Sequence, residues 1–122
     1  QESLLAYGIS VPCGSALLAM ARLGEGVSQG VLATEMGIEP ATLVRNIDLL
    51  AKAGLVTRQK GVPDARVKTL WFTGQGRGLV VQIEQALSLL RAKMLSEVSE
   101  QELASAIKVF RMMADYADSR GS

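Results

Sequence analysis

Thr42, Arg45 and Asn46 place a hydroxyl, a guanidinium and a carboxamide within five residues. A guanidinium forks onto guanine O6 and N7 or onto a phosphate. A carboxamide pairs with adenine, and a threonine meets a phosphate or a thymine methyl. About twenty residues on, Arg66 follows Asp64, with Arg58, Lys60 and Lys68 nearby. A guanidinium at a loop tip suits a narrow, strongly negative groove. Charge is concentrated in this region: residues 40–78 hold seven Lys/Arg against two Asp/Glu, residues 1–39 one against four, and residues 79–122 five against six. A local basic patch is a footprint for polyanions, although an ordinary solvated face has the same composition. The formal charge of the whole chain, +1, points to no partner.

Other chemistries find little support. The chain has no histidine, which removes His-based triads and the commonest metal ligand. Its acidic residues are scattered, so no enzyme activity, metal or cofactor is expected. The single cysteine, Cys13, lies beside Pro12 and Gly14 with no basic neighbour in sequence, and reads as a packing residue rather than a redox sensor. Gly74-Gln75-Gly76-Arg77-Gly78 has Leu79 where a dinucleotide loop needs its third glycine, and reads as a flexible join. With one cysteine, no signal-peptide pattern and no apolar run near the ~18 residues of a membrane span, the expected location is cytoplasmic. The sequence begins with Gln1, and further residues are expected upstream.

The elements that position these side chains follow from periodicity. Residues 2–7 look like the end of a helix stopped by Gly8. Val11–Leu23 reads as a helix with Ala16, Leu17, Met20 and Leu23 at three- and four-residue steps. Ser28 is a candidate N-cap for a short helix, Gln29–Met36, with Leu32, Ala33 and Met36 inward. Gly37 makes the turn, and Ile38 plugs the core. Pro40 opens a longer helix to about Ala53, with an apolar seam of Leu43, Ile47 and Leu50. Short helix, glycine turn and longer helix form a helix-turn-helix pattern. With that seam inward, Thr42, Arg45, Asn46 and Ala41 face outward. The other reading of Arg45 is a solvated helix charge paired with Asp48 at i+3.

Leu55–Lys60 and Arg66–Phe72 alternate around the turn-forming Gly61–Ala65, which predicts a β-hairpin with a basic tip. In the second strand Val67, Thr69 and Trp71 oppose Lys68, Leu70 and Phe72. A hairpin directly after a helix-turn-helix is a wing. Asp64 is expected to orient Arg66 or cap the turn. Lys68, Lys60 and Arg58 either track phosphates or keep the strand edges solvated. The start of the Gln29 helix offers backbone N–H groups to a phosphate. Beyond the wing, Leu79, Val80, Ile83, Leu87, Leu90 and Met94 step along a helix of about 25 residues. Ser99 and Glu102 form a capping box that opens a last helix carrying Leu103, Ile107, Phe110 and Met113. Apolar stripes of that length need a partner surface, either a second copy of the chain or residues 2–23 of the same chain.

From Ser28 to Gly76 the chain resembles the winged helix-turn-helix of the MarR (multiple-antibiotic-resistance-regulator) family. The matching pieces are Leu32-Ala33…Met36-Gly37-Ile38, Thr42-Leu43-Val44-Arg45, Leu50…Gly54-Leu55-Val56, Asp64…Arg66 and Phe72-Thr73…Gly76. Ile38 to Arg45 looks closest to the SlyA branch. Ala65 stands where the family often has Arg or Gly, and Phe72 replaces an aliphatic residue in a position expected to be buried. The resemblance implies a mainly α fold with a small β-hairpin wing, namely a winged helix-turn-helix plus terminal dimerisation helices. It divides the chain into a DNA-binding domain, residues 11–78, and a helical dimerisation region, residues 1–10 and 79–120. It further implies a homodimeric transcriptional regulator of double-stranded DNA that acts as a repressor on a pseudo-palindromic operator. Thr42, Arg45, Asn46, Arg66, Lys68 and Gln29 would contact DNA, and Asp64 would orient the wing. A small phenolic or other aromatic ligand near the junction of the two parts would weaken the grip. The competing reading is a winged-helix protein–protein interaction module that does not bind DNA.

Overall fold

The computed structural model describes residues 8–121. The helix end expected over residues 2–7 lies outside the described residues. Packing separates two compact units, Gln1–Leu87 and Ser88–Ser122.

The first unit runs α1 (Val11–Leu23), α2 (Gln29–Met36), α3 (Pro40–Lys52), β1 (Val56–Lys60), β2 (Lys68–Phe72) and the start of α4 (Gly74–Met94). Helix α1 begins where the Ser10 hydroxyl accepts the Cys13 N–H, with Pro12 in the first turn. Ser28 caps α2 by accepting from the Val31 N–H at 3.1 Å. Gly37 ends α2 at φ 66°, a left-handed conformation that glycine adopts at no steric cost. The Ile38 N–H then returns to the Ala33 carbonyl at 3.1 Å, which closes the turn between the two helices. Pro40 starts α3 with its φ already set for a helix.

The core forms where the predicted seams converge. Ala16, Leu17 and Met20 of α1, Leu32 and Ala33 of α2, and Leu43, Ile47 and Leu50 of α3 are buried together with Leu55, Val56, Leu70 and Phe72. Met36 and Ile38 pack against this cluster from its edge. Leu23 lies at the rim, more than a third exposed.

The hairpin is antiparallel, with Val56 opposite Phe72 and Lys60 opposite Lys68. Leu70 and Phe72 turn inward, as their alternation predicts, and Phe72 fits the core in place of an aliphatic residue. The Val62–Pro63 peptide at the tip is cis. One pairing is not visible in the alternation. Residues 26–28 lie along the outer edge of β2, with Gly26 N–H to Leu70 O at 2.8 Å and Leu70 N–H to Val27 O at 2.9 Å.

The glycine run 74–78 corrects the expected flexible join. It is the first turn of α4. The Thr73 hydroxyl accepts the Gly76 N–H at 3.0 Å and donates to the Gly54 carbonyl at 2.6 Å. A Cβ on Gly76 would collide with the Leu55 carbonyl. Gly76 is therefore glycine because the helix lies against the backbone of Leu55, in the link between α3 and β1. Helix α4 is 21 residues long, about 31 Å. It starts earlier and is shorter than the apolar stepping predicts. Val80 and Ile83 are buried, and Leu79 and Leu87 pack on the core.

The second unit holds the end of α4 and α5 (Glu100–Gly121). The capping box forms as predicted: Ser99 Oγ accepts the Glu102 N–H and Glu102 Oε1 accepts the Ser99 N–H, each at 3.0 Å. Ser99, first through its backbone N–H and then through its side chain, holds the Glu102 carboxyl below its ordinary value. Leu103, Ile107, Phe110 and Met113 are all exposed, Phe110 at 69%. Among the described residues no helix is long and apolar enough to cross a membrane.

Candidate nucleic-acid interface

The buried seam of α3 fixes what its other face presents. Leu43, Ile47 and Leu50 point inward, which leaves Ala41 and Arg45 exposed and Thr42 and Asn46 half-exposed. Arg45 Nη2 donates to Thr42 Oγ1 at 3.4 Å, a weak contact that sets the guanidinium along the helix surface. Arg45 does not pair with Asp48. That carboxylate is held by Arg58 at 2.7 Å. Among the described residues Arg45 therefore has no carboxylate partner. The Asn46 carboxamide likewise has no hydrogen-bond partner there, while its backbone carbonyl receives the Cys13 thiol at 3.7 Å.

Arg58 is anchored within the protein. Besides Asp48, its guanidinium donates to Gln29 Oε1 and, at 3.1 Å, to the Val44 carbonyl. It thus joins the start of α2, the middle of α3 and β1. Nothing in local periodicity announces this, since the partners are 29, 14 and 10 residues away. Gln29 sits in the first turn of α2, beside N–H groups that an anion can reach.

At the wing, Asp64 grips Arg66 by three bonds. Oδ1 accepts the Arg66 backbone N–H at 3.0 Å and Nε at 3.1 Å, and Oδ2 accepts Nη2 at 3.2 Å. The guanidinium and the N–H beside it hold the Asp64 carboxyl below its usual range. One carboxylate both closes the turn and aims the side chain. Arg66 is nonetheless 91% exposed. Lys60 and Lys68 face each other across the base of the tip, both exposed.

Behind the wing, Glu25 forms a link that sequence reasoning missed. Its carboxylate accepts two bonds from Arg77, at 3.1 and 3.2 Å, and the Phe72 N–H at 2.8 Å. These donors, Arg77 first, lower its pKa. The loop after α1, the end of β2 and the first turn of α4 are thereby tied together. In the same unit, a cleft of about 520 Å³ is lined by Ile9, Ala53, Leu55, Gln75, Leu79 and Gln82. A smaller cavity of about 210 Å³, walled by Ile9, Cys13, Leu49 and Leu50, adjoins it. Cys13 itself is buried, as its sequence neighbours suggest.

Two helices joined by a left-handed glycine turn, with a polar outer face on the second and a guanidinium raised on the hairpin behind it, form a winged helix. The model of the family described as MarR matches residues 7–67, 61 of the 122 residues. The chain belongs to the MarR family. It is therefore a winged-helix transcription regulator by family. Solved MarR-type structures align over nearly the whole chain. A MarR transcriptional regulator from Methanosarcina mazei Go1 is 21% identical, with 97% of this chain and 84% of that one covered and a TM-score of 0.85. FabT of Streptococcus pneumoniae, solved in complex with DNA, is 19% identical over 91% and 77% of the two chains, with a TM-score of 0.78. A mutant MarR from E. coli complexed with operator DNA is 19% identical over 92% and 80%, also with a TM-score of 0.78. At these identities the structural likeness establishes the fold.

Proposed function

We propose that this MarR-family chain is a sequence-specific DNA-binding regulator that grips a pseudo-palindromic operator as a homodimer. The observation that carries the reading is the pairing of an exposed, carboxylate-free Arg45 on α3 with an exposed, pre-aimed Arg66 on the wing. In this reading α3 enters the major groove, with Arg45 and Asn46 at base edges and Thr42 beside them. Arg66 enters the adjacent minor groove under the control of Asp64. Lys68 and the start of α2 at Gln29 hold phosphates. Two solved MarR-type neighbours contain DNA, which supports the assignment of the partner.

Residues 11–78 would form the reading domain, and residues 1–10 and 79–120 the pairing region. The exposed stripe Leu103, Ile107, Phe110 and Met113 supports a self-complementary helical interface. The cleft beside Ile9, Leu55 and Leu79 has the size for a small aromatic anion. Such a ligand would shift the population toward a domain spacing that misfits the operator, which makes the protein a ligand-responsive repressor. The Ile38–Arg45 segment supports placing the chain nearest the SlyA branch.

A mobility-shift series on fragments of the DNA upstream of the protein's own coding region tests this. One fragment should shift and survive excess competitor. A protein that shifts no fragment is instead an interaction module.

A further inference from the structure

Arg58 brings a cation into the corner where α2, α3 and β1 meet. Its side chain is only 26% exposed, and its donors are divided among Gln29 Oε1, the Val44 carbonyl and Asp48 Oδ1. A guanidinium has no acceptor, so the atom of Gln29 that faces it must be the carbonyl oxygen. The Gln29 Nε2 is then left with both N–H bonds and no acceptor among the described residues. The Val44 carbonyl lies on α3 between the buried Leu43 and the exposed Arg45.

We propose that Arg58 is a positioning residue for DNA reading. It contacts no DNA itself. It fixes α3 against the root of the wing, so that Arg45 and Arg66 enter their two grooves in register, and it turns the Gln29 carboxamide so that its N–H groups face a phosphate. The planar fork is required, because an ammonium cannot span three acceptors on two helices in fixed geometry. The inference rests on the DNA-binding reading above and assigns a residue that does not face the groove.

The rival role for Arg58 is a direct phosphate contact, and the two separate cleanly. A phosphate contact contributes about 0.9 to the slope of log K against log salt, whereas a positioning residue contributes none. Specific and nonspecific DNA are titrated over a salt series with wild type, Arg58→Gln, Arg58→Lys and Asp48→Asn, each checked for a cooperative melt well above the assay temperature.

The expected result has three parts. Specific affinity falls roughly tenfold or more in both Arg58 variants, a charged hydrogen-bond network being lost. Nonspecific affinity and the salt slope stay near wild type. Asp48→Asn also loses specific affinity, although it removes a negative charge from a DNA-binding surface. If Arg58→Gln fails to fold, the Lys and Asn variants still decide. A slope reduced by about one in Arg58→Gln, rescue by Arg58→Lys, or tighter binding by Asp48→Asn overturns the proposal while leaving the regulator reading intact. Loss of specific and nonspecific binding in equal proportion by a folded variant shows that Arg58 does not act on sequence reading and also overturns it. If wild type binds no fragment specifically, the regulator reading falls and this inference falls with it.

Discussion

Asp64 and Arg66 form a closed unit at the wing tip, in which one carboxylate binds both the backbone N–H and the guanidinium of the residue two positions on. In the proposed function the arrangement resolves an apparent conflict, since an acidic residue beside a tip that enters DNA would repel phosphate. Its benefit is pre-organisation. On that proposal a long, exposed side chain is held in one direction before binding, so less rotamer entropy would be lost on entering the groove.

Replacing Asp64 with Asn therefore has opposite effects on two kinds of DNA. Nonspecific affinity should hold or rise as a negative charge disappears. Specific affinity should fall severalfold as Arg66 loses its aim. Competition titrations on specific and bulk DNA read both at once, and a parallel rise in the two would refute the orienting role.

Glu25 gives the fold a pH dependence with a definite sign. Bonds from Arg77 and the Phe72 N–H lower its pKa in the folded state. The stabilisation is thus fully present above the ordinary glutamate range and is lost as pH falls through that range to the lower folded value. Glu25→Gln should melt below wild type at neutral pH, and the two melting temperatures should converge as pH falls through the ordinary glutamate range and below the lowered folded-state value, where both side chains are uncharged. A constant gap across that range would show that the carboxylate charge is not what matters.

The glycines at the start of α4 should respond oppositely to alanine. At Gly76 a Cβ meets the Leu55 carbonyl, and the backbones must separate. Gly76→Ala should cost about 1–3 kcal/mol by forced overpacking. At Gly78 a Cβ meets nothing within 4 Å. Gly78→Ala should be neutral or stabilising, by up to about 1 kcal/mol, because the unfolded chain loses freedom. Thermal melts of the two variants compare a packed helix start with a loose one.

The exposed stripe of α5 is the test of pairing. Sedimentation of the wild-type protein should give a dimer. Ile107→Glu with Phe110→Glu should give a monomer that keeps its helical circular dichroism and loses specific DNA binding. A double variant that still sediments as a dimer would remove α5 from the interface.

These relationships differ in how far the sequence announced them. The seams of α1, α2 and α3 were readable because burial on one face imposes a 3.6-residue period. The wing was readable because alternation and turn residues coincide. Ser99 and Glu102 were readable because a capping box is local. Arg58, Glu25 and Thr73 were not, since their partners are brought together only by tertiary packing. The run at 74–78 misled for a related reason. Glycine disfavours helix on its own, but the Thr73 cap and the close approach to Leu55 outweigh that preference. Asp48 shows the limit of spacing arguments: it stands at i+3 from Arg45, yet a distant arginine takes it.

In the proposed function α3 reads DNA through Arg45. Its most direct test is the affinity of wild type and Arg45→Ala for the fragment that the wild type selects, each measured over a salt series. The variant should lose about 1–3 kcal/mol on that fragment. It should also lose most of its preference over bulk DNA while keeping its fold. Equal affinity of the two proteins for the selected fragment would mean that α3 does not read DNA through Arg45.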